Sequence, residues 1–152
     1  MITKNYFSVK MINLREIRNN KFCVAVAGAT DNKDKFGFKI FSYLKKKGFN
    51  VFPVNNKKKN ILGMESYASV SELSRFLSER NESIFLVDMV VPPKSAVDIV
   101  NEVIKCNVKR IWFQPGSESD EAMKICKKNG IEFVSHSCIM EESKKRNTEF
   151  KI

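Results

Sequence analysis

Apolar and polar positions change period several times along this chain, and each change marks an element. "FCVAVAG" (Phe22 to Gly28) is short, apolar and β-branched, with no polar alternation. Such a run predicts a strand buried on both faces. The period then becomes helical. Phe38, Ile40, Phe41 and Leu44 share one face, Lys45 to Lys47 suit the C-terminal dipole, and Gly48 is the stop. Asp31 or Asp34 is expected to cap this helix. "NVFPVN" (Asn50 to Asn55), "SIFLVDMVV" (Ser83 to Val91), "RIWFQ" (Arg110 to Gln114) and "IEFVSH" (Ile131 to His136) predict four more strands. Between them lie a basic connection turning at Gly63, a short helix from Ser71, a helix opened by Pro92-Pro93, and "DEAMKICKKNG" with acids first and lysines last.

Buried strands alternating with amphipathic helices are βαβ units. They predict an α/β fold: a doubly wound, mainly parallel five-stranded sheet, helices on both faces, right-handed crossovers. Residues 22–142 form the expected domain. Residues 1–21 are expected to add a helix around Leu14 and Ile17, and residues 143–152 a charged tail that frays.

Composition adds bounds. At 152 residues, 43% apolar and with twelve Phe, the chain suits one ordered domain with a buried core. The net charge of +10 favours a polyanionic partner. The lysines are spread along the chain, however, and no nucleic-acid motif accompanies them, so nucleic acid ranks low. Cys23, Cys106, Cys126 and Cys138 show no CxxC spacing and His136 stands alone, so no metal site is expected. Scattered thiols, an N-terminus without an apolar leader and no run of membrane-spanning length predict a cytoplasmic protein.

In doubly wound sheets ligands bind beyond the strands' carboxyl ends. Chemistry is therefore sought in the loops after each strand. "GATDNKDKFG" follows the first. Gly28 allows a sharp turn, and the helix start can face an anion. Its glycines are spaced for neither the dinucleotide fingerprint nor the P-loop, so a plain strand-to-helix turn fits equally well. After strand two, "VNNKKKN" places Asn55, Asn56 and Lys57 to Lys59 where nicotinamide dinucleotide sites carry an acid. Ammonium groups attract a phosphorylated ribose, as in NADP or coenzyme A. A solvated lysine turn is the bland alternative. "MVVPPKS" makes a stiff apolar rim on which an adenine could lie, or a simple helix start.

Taken together, these pieces resemble the coenzyme A-binding domain family, a small Rossmann-like group related to the N-terminal domain of the succinyl-CoA synthetase α subunit. The resemblance rests on "VAVAGATDNKDKFGFKIFSYLKKKGFNVFPVN", "ILGMESYASVSEL", "FLVDMVVPP", "IWFQPGSESDEAMKICKKNGIEFV" and "CIMEE", in order, from Phe22 to Glu142. It implies coenzyme A lying across the carboxyl ends of the strands. Gly28, Ala29 and Thr30 would meet the pyrophosphate, with Lys35, Phe36 and Gly37 lining the same loop. Asn55 and Lys57 would lie near the phosphorylated ribose, Val90, Val91 and Pro92 would flank the adenine, and Gln114 and Gly116 would face the pantetheine. Two departures stand out. Asn55-Asn56 replaces the Asn-Pro of many members, and Val91-Pro92 replaces an arginine pair.

No catalytic residue is assigned. The histidine that the synthetase phosphorylates belongs to a second domain, and His136 reads as a surface or packing residue. Asp88 is expected to hydrogen-bond within the loops or solvate the sheet's end. Cys138 lies on the rim where a pantetheine thiol would arrive, so a mixed disulfide is conceivable, against the plain alternative of a buried thiol. The favoured function is non-catalytic binding of coenzyme A or an acyl-CoA. The alternatives are an NADP-binding reductase or regulator and a basic nucleic-acid-interacting protein. An open sheet edge also permits a homodimer.

Overall fold

The computed structural model describes residues 22–145. The expected N-terminal helix and residues 146–152 lie outside them. The chain runs through β1 (Phe22–Ala27), α1 (Phe36–Lys46), β2 (Val51–Val54), β3 (Asn60–Ile61), β4 (Met64–Glu65), α2 (Val70–Ser78), β5 (Ser83–Met89), α3 (Pro93–Lys105), β6 (Arg110–Phe113), α4 (Asp120–Lys128), β7 (Glu132–Val134) and α5 (Ile139–Lys145). Five strands form one parallel sheet in the order β2-β1-β5-β6-β7. From β1 the chain moves outward to β2, then returns across β1 to β5. That reversal opens a crevice above the carboxyl ends of β1 and β5, as the doubly wound reading requires.

Alternation along the buried strands sends successive side chains to opposite faces. One face packs Ala25, Val87, Ile111 and Phe133 against Leu73 and Leu77 of α2, Val100 of α3 and Cys126 of α4. The other packs Val24, Val26, Leu86, Trp112 and Val134 against Ile40, Phe41 and Leu44 of α1 and Ile139 of α5. Both faces are covered, which explains why β1 reads as an unbroken apolar run and β5, from Ile84, as one interrupted only by Asp88.

The structure differs from the sequence reading at several ends. Neither Asp31 nor Asp34 caps α1. Lys35 holds the N-cap position, with no side-chain cap bond. Asp34 instead belongs to the preceding loop, where its N–H donates to Asn32 Oδ1 at 3.0 Å. α2 begins at Val70, and the hydroxyl of Ser69 accepts from the Glu72 N–H at 3.0 Å. The basic connection contains the β3–β4 hairpin, closed where Gly63 N–H donates to Asn60 Oδ1 at 3.1 Å. β7 stops at Val134, and His136 turns into the left-handed region with φ 61°.

Residues 139–145 form α5 where fraying was expected to begin. The charge of "EESKK" masks a spacing of four between Ile139 and Ser143. Those two residues share a helical face and are both buried, and Ser143 Oγ accepts from the Tyr43 hydroxyl at 3.1 Å. Among the described residues no helix is long and apolar enough to cross a membrane.

The entry to α5 is pinned from below. Trp112 is fully buried, and its indole N–H donates to the Ser137 carbonyl at 2.7 Å. Trp112→Phe keeps most of the ring but strands that acceptor. The expected loss is about 1–3 kcal/mol, read as a lower urea midpoint at unchanged slope.

Candidate functional site

The site begins with a steric requirement. Gly28 leaves β1 at φ 95°, a region that side-chain-bearing residues avoid, and a Cβ there would collide with the Val90 carbonyl oxygen. A Cβ at Gly37, in the first turn of α1, would meet the carbonyl oxygen of Gly28 just as closely. The two glycines therefore let three backbone segments touch: the β1 exit, the β5 exit and the start of α1. The uncapped amino end of α1 is brought to the mouth of the crevice, with Phe36 62% exposed beside it.

Polar side chains tie the remaining loops to this point. Asn55 Nδ2 donates to the Ala29 carbonyl at 2.7 Å, and Asn55 Oδ1 accepts from the Lys57 N–H at 2.8 Å. The end of β2 is thereby fastened to the Gly28 loop. Ser117 Oγ accepts from the Val91 N–H at 3.0 Å, fastening the loop after β6 to the one after β5. Glu118 accepts from Gly116 N–H at 2.8 Å and from His136 N–H at 3.1 Å. The His136 ring itself is mostly in solvent.

These loops enclose a cavity of about 660 Å³. Thr30, Lys35, Phe36, Gly37 and Val90 line one side, Gly28, Asn55, Val91 and Pro92 the crest, and Gln114 and Gly116 the far wall. The cavity thus brings together nearly all the residues singled out in the sequence. Ala29 is not a lining residue, because it is fully buried beneath the loop. Lys57 is exposed and lines neither hollow. Asp34 and Pro115, which belong to loops where chemistry was sought, also line the cavity, as do Ile40 and Ser117, which the sequence did not single out as site residues. Ile40 had a legible signal, since it lies one turn after Phe36 on the same face.

A second hollow of about 760 Å³ lies across the crest. It shares Gly28, Asn55, Val91 and Pro92 with the first and adds the polar residues Asn56, Ser69, Ser71 and Ser95. An elongated ligand could straddle the crest and place one end in each.

Beneath the far wall lies a buried polar relay. Gln114 is 2% exposed. Its Nε2 donates to Asp88 Oδ1 at 2.7 Å, and its Oε1 accepts from the Ile139 N–H at 3.3 Å. Asp88 is completely buried, and its Oδ2 has no hydrogen-bond partner. Burial pushes this carboxyl up to about 7, against the opposing effect of the Gln114 bond. Asp88 therefore hydrogen-bonds to the loop as anticipated but does not solvate the sheet's end. Cys138, at the entry to α5, lines the first cavity. Burial raises the thiols of Cys23 and Cys126, the latter to about 12.

Two outcomes follow. Gly37→Ala should destabilise by about 1–3 kcal/mol, although alanine is the better helix former, because its Cβ meets the Gly28 carbonyl. Chemical denaturation checks the sign. For Asp88, the folded state holds its proton more tightly than the unfolded chain. Its contribution to stability should fall as pH rises from about 4 to about 7. Asp88→Asn should remove that slope when urea midpoints at about pH 5 and about pH 8 are compared.

Comparison with known proteins places this geometry. A family model described as a CoA binding domain matches residues 23–144. The chain is 27% identical over 127 residues to the α subunit of an ADP-forming acetate–CoA ligase II of Pyrococcus furiosus, covering 76% of this chain and 26% of that protein. It is 21% identical over 126 residues to the uncharacterized protein YneT of Bacillus subtilis, covering 83% of this chain and 88% of that one. The chain thus spans about a quarter of the ligase subunit but most of YneT. Among solved structures, a conserved hypothetical protein from Pyrococcus furiosus superposes with a TM-score of 0.72 at 36% identity, covering 82% of this chain and 99% of that one. A dinucleotide-forming acetyl-coenzyme A synthetase from Ca. Korarchaeum cryptofilum shares the fold, with a TM-score of 0.63 at 22% identity over 79% of this chain and 26% of that one. With its match extending through nearly all of the described residues, the chain belongs to the CoA binding domain family.

Proposed function

We propose that this protein is a non-catalytic module that binds coenzyme A, or an acyl-CoA, at the crevice between β1 and β5. The observation that carries the reading is the glycine contact at the crevice mouth. Gly28 and Gly37 let the uncapped start of α1 approach the β1 exit, where the helix's unpaired N–H groups suit a pyrophosphate. Lys35 supplies positive charge beside that helix start.

The remaining residues suit a long, two-ended ligand. The first hollow offers Phe36, Ile40 and Val90 to an apolar chain such as pantetheine. The crest offers Val91 and Pro92 to an adenine face. Lys57, exposed just beyond the end of β2, suits a phosphorylated ribose. Asn55 and Gln114 also have a structural task besides the ligand contact the resemblance implies. Their hydrogen bonds to the protein hold the loops in place, and any ligand bond they make uses their remaining capacity. The four cysteines are free thiols, which suits a reducing cytoplasm.

Calorimetric titration of coenzyme A, dephospho-coenzyme A, NADP and NAD into nucleotide-stripped protein tests the proposal. Coenzyme A should bind in preference to the others. Phe36→Ala should weaken that binding roughly tenfold through lost apolar contact. Lys57→Ala should narrow the preference for coenzyme A over its dephospho form by up to about fivefold, the scale of an exposed ion pair. Preference for NADP would overturn the reading. So would steeply salt-dependent binding of nucleic acid with no response to the small ligands.

A further inference from the structure

Asp88 lies one side chain behind the wall of the first cavity. It is fully enclosed, accepts one bond from Gln114 and leaves Oδ2 unpaired. Gln114 is both part of the cavity wall and the holder of the α5 amino end. An enclosed carboxylate with no counter-ion is costly when charged and cheap when protonated.

The surroundings supply no compensating charge. In the sheet, Asp88 stands between Val26 of β1 and Trp112 of β6. Ile40 and Phe41 of α1 and Ile139 of α5 pack on the same face. The charged residues of α1, Lys39, Lys45 and Lys46, are exposed, as are Glu141 and Lys144 of α5, while Glu142 is half-buried. Arg110 opens β6 at its far end, paired with Glu132 at 3.7 Å. The titratable groups at the cavity itself are Asp34, Lys35 and Cys138. The causes that set the Asp88 carboxyl are burial and the Gln114 bond.

A ligand seated in this cavity would cover Gln114 and replace solvent at the wall in front of the carboxyl. An anionic ligand would also add negative charge across a region of low dielectric. Both effects favour the neutral acid. We infer that binding of an anionic ligand in the first cavity is coupled to uptake of one proton from solvent by Asp88. The inference rests on the coenzyme A reading for its ligand. It gives the site a pH response that no cavity-lining group has to supply.

Calorimetry of coenzyme A binding at about pH 8, in two buffers of different ionisation enthalpy, measures the protons taken up. Wild type should take up a fraction approaching one proton per ligand, and Asp88→Asn close to none. Above about pH 7 the wild-type Kd should weaken by up to roughly tenfold per pH unit, while the variant's stays flat. Dephospho-coenzyme A provides a check that needs no variant, because it lacks the phosphate monoester that titrates near neutrality. Wild type should take up the same proton with it. Equal uptake by wild type and Asp88→Asn overturns the inference, as does binding to wild type without uptake. Absence of coenzyme A binding to either protein overturns the functional reading instead.

Discussion

The contact between backbones at the crevice mouth is the constraint on which the rest of the structure depends. β1 and β5 are neighbours, and their exits must diverge to feed helices on opposite faces of the sheet. Only a residue without a Cβ lets the β1 exit pass under the Val90 carbonyl, and only another lets α1 start against the Gly28 carbonyl. Steric exclusion of this kind is not softened by repacking, because the atom each Cβ would meet is a backbone carbonyl oxygen, not the end of a flexible side chain. The placement of α1 at the crevice mouth follows from it.

Around this contact the protein uses polar side chains as fasteners. Asn55, Ser117, Gln114 and Glu118 each bridge two loops that are distant in sequence. Loops without such ties would sample many arrangements, and a ligand would have to select one at a cost in affinity. Holding the loops in advance reduces that cost. The same logic explains why residues expected to touch a ligand are partly occupied with the protein itself.

The relay from Asp88 through Gln114 to Ile139 connects the sheet's buried centre to the start of α5. It holds an unpaired carboxylate oxygen in a fully enclosed place, which an all-apolar core would avoid. The relay also brings Cys138 to the cavity, since Ile139 follows it directly. The rim position read from the sequence is therefore the position found.

Much of this was legible in the residues alone. The five strands of the main sheet and four of the helices follow from periodicity, because burial on one or both faces imposes a period that the sequence must show; the two-residue strands β3 and β4 are too short to show one. The loops carrying the site follow from topology, since a doubly wound sheet gathers them at one end. Other features depended on tertiary contact. The true start of α1 could not be read, because Lys35 is no capping residue and the helix is positioned by Gly37 against Gly28. The docking of α5 turned on Ser143 meeting Tyr43 across 100 positions of sequence, a pairing that local charge obscured. Asn55 and Gln114 both line the first cavity, but their bonds to Ala29, Asp88 and Ile139 exist only once the strands lie side by side. The sequence by itself determined which segments would be buried and where their ends would meet. Which polar atoms would then find partners, and that Asp88 Oδ2 would find none, only the assembled sheet decided, because hydrogen bonding depends on distances that no spacing along the chain encodes.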